Sequence, residues 1–164
     1  MNELEVKILK IDKDAMIAKV ESFWAQKIFD DTIVADFYKN ADGKKLRFRK
    51  YGAENILTYK EKIQTETLME NLEYEVVIDD YETFEKMLVA LWFVKYGHSS
   101  KHRTVYKLGN IVFDFDKYEN IPWFVEVESD NEQDLVKWVA LLGYTMNDTH
   151  TLTESQVKKH YGVE

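Results

Sequence analysis

Seven stretches of this chain interleave apolar residues with charged ones, and within each stretch the charges share one sign. Glu3 and Glu5 flank Leu4, Arg47 and Arg49 flank Phe48, and Lys60 and Lys62 follow Leu57-Thr58-Tyr59. Glu73 and Glu75 flank Tyr74, Lys101 and Arg103 flank His102, Asp114 and Asp116 flank Phe115, and Glu126 and Glu128 flank Val127. A period of two belongs to β-strands, whose successive side chains point to opposite faces of a sheet. An eighth strand is expected at Thr32–Tyr38, and the pair Lys101/Arg103 opens one over Lys101–Lys107. Turn residues punctuate the strands at Asn40–Gly43, Gly52, His98–Ser100 and Gly109-Asn110, the pattern of an antiparallel sheet.

Three stretches switch to helical spacing. Lys13–Gln26 carries Met16, Ile17, Val20, Phe23 and Trp24. Tyr81–Lys95 carries Phe84, Met87, Leu88, Leu91 and Trp92 behind Asp79 or Asp80 as N-cap, and Glu132–Leu142 carries Leu135, Val136, Trp138, Val139 and Leu142 ahead of Gly143. These assignments place Trp24, Trp92 and Trp138 in the core. A short fourth helix is expected over Glu154–His160 after Thr153. The fold class is therefore α+β, mainly β.

The strands also repeat. Asn2–Ile8 resembles Asn71–Ile78, and each leads through an acidic turn into a helix bearing a Trp. Trp123–Glu128 before the Trp138 helix is a third, shorter copy. A duplicated β-rich unit with pseudo-two-fold symmetry follows.

Composition narrows the function. The 164 residues fit one domain spanning 1–164. With no cysteine there is neither a disulfide nor a thiolate site, and the four histidines lack the spacing of a zinc site. A net charge of −8 opposes binding to bulk nucleic acid or an anionic membrane. No apolar run approaches the ~20 residues of a membrane span, and the acidic start does not read as a signal peptide, so a cytoplasmic protein is expected. No Gly-rich phosphate loop and no Ser-His-Asp arrangement is recognisable.

The polar faces thus carry eight acids and, with Lys7, seven bases. Same-sign neighbours on one face stand only about 7 Å apart and repel. Two arrangements accommodate them: an outer face wetted by solvent, or a barrel whose charged face points inward. Eight strands are the number that closes a small barrel. Turned inward, carboxylates would hold a hard divalent cation and the Arg and Lys groups would hold phosphate oxygens.

The order of these motifs resembles that of the CYTH superfamily, the triphosphate tunnel metalloenzymes. Glu3-Leu-Glu5-Val-Lys7 resembles the family's opening Glu-x-Glu-x-Lys, Leu46-Arg47-Phe48-Arg49 its Leu-Arg-x-Arg strand, Thr58-Tyr59-Lys60 its Thr-x-Lys and Asp36-Phe37-Tyr38 its Asp-x-Tyr. The remaining doublets follow in the family's order, and the likeness covers residues 1 to about 150. It implies an eight-stranded antiparallel closed barrel, or tunnel, flanked by helices. It further implies that Glu3, Glu5, Glu126 and Glu128 bind Mg²⁺ or Mn²⁺, and that Arg47, Arg49, Lys60, Lys101 and Arg103 cradle a triphosphate. Glu73, Glu75, Asp114 and Asp116 would hold a second metal or orient the bases, and Lys7 would help to activate water. A homodimer would be in keeping with the family.

Two departures stand out. Asn71 replaces an Arg that often precedes the second Glu-x-Glu, and Thr153-Glu-Ser-Gln156 stands where many members carry Lys-Ser-Tyr. The expected function is metal-dependent hydrolysis of a small-molecule triphosphate: tripolyphosphate, thiamine triphosphate or a nucleoside triphosphate. Adenylyl cyclase activity, giving cyclic AMP and pyrophosphate from ATP, is the alternative. A non-catalytic polyphosphate- or nucleotide-binding module and a purely structural barrel are the readings outside catalysis.

Overall fold

The structure, a computed structural model, describes residues 2–64 and 69–163. The elements run β1 (Asn2–Ile8), α1 (Lys13–Ser22), β2 (Gln26–Lys39), β3 (Lys45–Tyr51), β4 (Glu54–Gln64) and β5 (Met69–Val77). They continue α2 (Tyr81–Ala90), β6 (Val94–Leu108), β7 (Ile111–Lys117), β8 (Phe124–Ser129), α3 (Glu132–Leu141), β9 (Thr149–His150) and α4 (Glu154–His160).

Eight strands pair antiparallel in the order β5-β4-β3-β2-β6-β7-β8-β1, and β1 pairs back with β5. That last ladder spans four residue pairs, Asn2↔Leu72 to Glu5↔Met69, while β9 takes the rest of the same edge of β1 through Lys7 and Ile8. The sheet is therefore strongly curled with its edges meeting over a short ladder, less complete than the uniformly closed barrel expected. Advancing each strand by four reverses the ring onto itself, so the pseudo-two-fold repeat is real: β1-α1-β2-β3-β4 answers β5-α2-β6-β7-β8. The third copy, β8 with α3, lies outside that symmetry.

Burial decides which face points inward. Val6, Ile8, Phe113, Phe115, Val125 and Val127 pack on the outside of β1, β7 and β8 with Met16 and Val20 of α1 and Leu135 and Val139 of α3. The intervening residues Glu5, Lys7, Asp114 and Asp116 are nonetheless buried as well. Both faces of these strands are covered, so the charged one lines the interior. On the other half the cover is thinner: α2 buries Leu88 against Tyr38 and Phe48, and Tyr74, Val76 and Val77 of β5 are exposed.

Helix ends depart from the expected pattern. α1 stops at Ser22 and α2 at Ala90, before Trp24 and Trp92. Each Trp takes a left-handed backbone conformation, φ 70° and 63°. Each also donates its N–H to a carbonyl three residues back, Glu21 or Val89, while the next residue reaches back five, to Val20 or Leu88. This is the Schellman closure that Gly143 provides for α3. The two indoles are consequently 85% and 84% exposed rather than in the core, whereas Trp138 packs against it as expected. With the helices shortened, β2 and β6 extend to 14 and 15 residues. His98–Ser100, expected as a turn, lies within β6.

Candidate active site

Strand register sets the charged doublets side by side on the inner face. Arg103 pairs with Asp116, Asp114 with Glu126, Glu126 with Lys7, and Glu128 with Glu5 around β6, β7, β8 and β1. Across the tunnel, Arg47 pairs with Thr58, Thr58 with Glu75, and Lys60 with Glu73. The side chains of Glu3 and Lys60, both expected in the site, lie outside the described residues.

Arg103 organises the acidic side. Its Nε donates to Asp116 Oδ1 at 2.7 Å, its Nη2 to Asp116 Oδ2 at 2.6 Å and to Glu126 Oε2 at 2.9 Å, and its Nη1 pairs with Asp114. Lys101 adds a 2.6 Å bond to Asp116, which is 0% exposed. Both Asp116 oxygens thus accept from the two bases. Asp114, Glu126 and Glu128 bring one carboxylate oxygen each within 4.8 Å of one another. This all-oxygen donor set suits a hard cation such as Mg²⁺ or Mn²⁺. Burial, opposed by Arg103, pushes the Asp114 carboxyl up to about 7, with Asp116 and Glu126 adding like-charge repulsion. Burial acts on Glu126 in the same sense, but Lys7, Lys101 and Arg103 outweigh it and hold Glu126 well below the usual range.

Glu5, expected among the metal ligands, stands beside Glu128 in register but outside that group of three; its Oε1 accepts from Lys7 Nζ at 3.2 Å, and Glu126 Oε1 lies 3.2 Å from the same ammonium. Burial alone would lower the Lys7 pKa, yet Glu126 and Glu5 raise it above the ordinary lysine range. This pairing favours the ammonium form of Lys7, which can steady anions and orient water.

The basic side is less satisfied. Arg49 Nη2 pairs with Glu75, to which Thr58 also donates at 2.7 Å, and Arg47 Nη2 stands 3.7 Å from Glu73. Among the described residues, the Nε–H groups of both arginines are buried without a hydrogen-bond partner. Burial, then the neighbouring Arg47, lowers the Arg49 pKa to about 10. Arg47, Arg49, Lys101, Ser99, Ile33, Ala35 and Glu154 line a small cavity that is partly open to solvent. Tyr51 continues the Arg47, Arg49 alternation, lies within electrostatic reach of Asp114 and stacks on Phe29 with centroids 3.9 Å apart.

Three residues in or beside this wall, Ser99, Tyr51 and Glu154, were not singled out as site residues from the sequence. Ser99 and Tyr51 simply extend the period of two beyond the charged doublets, so the signal was present. Glu154 comes from α4, far along the chain, and no linear pattern announces it. The His102 ring, on the opposite face of β6 from Lys101 and Arg103, contacts Asp30 at 3.0 Å and the edge of Trp123.

The sequence matches the CYTH domain family over residues 1–161, and the chain belongs to that family. No curated protein matches it. Among solved structures, the PH1012 protein of Pyrococcus horikoshii is 23% identical at a TM-score of 0.80, over 95% of this chain and 98% of that one. A putative adenylate cyclase of Vibrio parahaemolyticus is 16% identical at a TM-score of 0.81, over 96% and 97%. A putative adenylyl cyclase of Hippeastrum, HpAC1, described as revealing a dominant triphosphatase activity, is 15% identical at a TM-score of 0.65, over 97% and 95%. No helix among the described residues is long and apolar enough to cross a membrane.

Proposed function

We propose that this protein is a metal-dependent phosphohydrolase that takes a linear triphosphate into the charged tunnel. The observation that carries the reading is the pair of buried, unpartnered Nε–H donors on Arg47 and Arg49, in the wall of a cavity that also holds Lys101. Desolvated donors are costly unless a ligand satisfies them, and paired guanidinium groups match phosphate oxygens. The carboxylates Asp114, Glu126 and Glu128 would hold Mg²⁺ or Mn²⁺, whose chemistry when bound is to neutralise phosphate charge as the bond to phosphorus changes. Lys7, held charged between Glu5 and Glu126, orients the attacking water and balances the incoming anion. Arg103 and Asp116 keep the acidic wall in register. Water adds to the terminal phosphorus while the bridging P–O bond breaks; orthophosphate and the shortened phosphate chain leave, and the proton lost by the water passes to solvent.

The same grip would serve a cyclase, in which the ribose 3′-hydroxyl attacks the α-phosphorus; the two cyclase-like neighbours keep that reading in play. Inorganic tripolyphosphate, thiamine triphosphate and ATP, each incubated with the protein and Mg²⁺ or Mn²⁺, separate the two by their products. We expect orthophosphate, with bare tripolyphosphate at least as good a substrate as ATP. Cyclic AMP and pyrophosphate from ATP, with tripolyphosphate untouched, would establish the cyclase instead.

A further inference from the structure

The cavity read here as a phosphate cradle already contains an anion belonging to the chain. Glu154 is the first residue of α4, and it lines the cavity with Arg47, Arg49 and Lys101. Its carboxylate accepts a hydrogen bond from Ser99 on β6 and lies within electrostatic reach of Lys101. Lys158, one helical turn on, approaches its Oε1 at 3.0 Å. The helix that carries it is well anchored. Thr153 and Gln156 cap each other reciprocally, and Val157 packs into a cluster with Tyr118, Ile121 and Phe124. Glu154 is thus a fixed part of the wall rather than the tip of a loose tail.

We propose that Glu154 is a specificity-determining residue: a built-in anion at the basic end of the tunnel that subtracts charge from the cradle and restrains its preference for the most highly charged polyphosphates. The inference rests on the triphosphate reading above. The cavity lining sets three cations against one carboxylate, while Glu75 pairs with Arg49, Asp116 with Lys101 and Lys158 with Glu154 itself. A phosphate chain held by Arg47, Arg49 and Lys101 is repelled by the carboxylate among them, and in a partly desolvated cavity that repulsion is weakly screened. It scales with ligand charge, so it acts most on tripolyphosphate, less on pyrophosphate and least on orthophosphate. Lys101, already bonded to Asp116 at 2.6 Å, divides its charge between two carboxylates of the chain before any ligand arrives.

Calorimetric titration of the intact protein with these three inorganic phosphates, in metal-free buffer so that no turnover occurs, tests the proposal. Glu154→Gln and Glu154→Ala both remove the charge, Glu154→Asp retains it, and Glu82→Gln removes a charge from an exposed site on α2. Tripolyphosphate should bind about tenfold more tightly to the Gln and Ala variants, with a progressively smaller gain for pyrophosphate and orthophosphate. The Asp variant and Glu82→Gln should stay within about twofold of the unsubstituted protein. Unchanged tripolyphosphate affinity in both uncharged variants, or an equal gain for all three ligands, would overturn the assignment. If the unsubstituted protein binds tripolyphosphate neither in this buffer nor with Mg²⁺ added, the triphosphate reading itself falls and this inference with it.

Discussion

A guanidinium removed from water and set beside another guanidinium is held for something other than stability. Arg49 is in that position: burial and Arg47 both disfavour its charge, and Glu75 with Thr58 satisfies only one of its nitrogens. Arg49→Ala should weaken tripolyphosphate binding by roughly 1.5–3 kcal/mol, the scale of a charge-assisted contact. The same change should leave the melting temperature of the ligand-free protein unaltered or raise it. A drop in melting temperature with unchanged affinity would return Arg49 to a structural role. Glu126 contrasts with it, because it contacts Lys7 at 3.2 Å and Arg103 at 2.9 Å and also belongs to the carboxylate triad. Glu126→Gln should abolish most Mn²⁺ binding by calorimetry and lower turnover at limiting metal by orders of magnitude, with the fold retained by circular dichroism. Asp114 links the same triad to pH. Its folded carboxyl titrates near 7 against an ordinary value of 3.8, so between those values the folded protein holds a proton that the unfolded chain has lost. This group's contribution to metal-free stability therefore falls as pH rises from about 4 to about 7. The urea midpoint should decline over that interval, and Asp114→Asn should flatten the decline. A slope in Asp114→Asn equal to that of the unsubstituted protein would show that other groups set it.

At the level of elements, the strands were far more legible than the helix ends. Each charged doublet lies in a strand because a period of two is a local signal that every residue of the strand repeats, as Lys101, Arg103 and their register partner Asp116 show. The inward direction of the charge could be read only in combination, from the charges of all the strands together and from the family likeness. Helix termini obey a subtler rule. Trp24 and Trp92 continue the apolar stripes of α1 and α2, so the pattern carried the helices past their true ends. The closing left-handed residue is usually glycine, and nothing in an indole marks it as a cap. Since only glycine adopts φ near +70° without steric cost, Trp24→Gly should stabilise the isolated protein by about 1 kcal/mol in chemical denaturation. Destabilisation would show that the exposed indole contributes contacts exceeding that strain. Glu154 is the opposite case: helix α4 was expected at its observed bounds, but its arrival in the cavity depends on the packing of Val157 against Tyr118 and Phe124, a contact between distant parts of the chain.

The whole molecule couples these parts through its pseudo-two-fold ring. One side of the ring, formed by β7, β8 and β1, buries its strands on both faces and builds the acidic wall. The other side, with Arg47 and Arg49 on β3, is covered by α2 through the single fully buried Leu88 among its described residues. The two sides face each other across the tunnel, so a polyphosphate bound between them stabilises the fold as a whole. At a ligand concentration 100 times Kd that linkage amounts to about 2.7 kcal/mol. In the function proposed, the arginines of one side and the carboxylates of the other act on one triphosphate. Orthophosphate release from inorganic tripolyphosphate, followed with and without Mg²⁺ in the intact protein and in the Arg47→Ala/Arg49→Ala double variant, tests it most directly. Metal-dependent release that falls by at least a hundredfold in the double variant, with both proteins folded, is the predicted result. Equal release by the two proteins, or release indifferent to the metal, would contradict it.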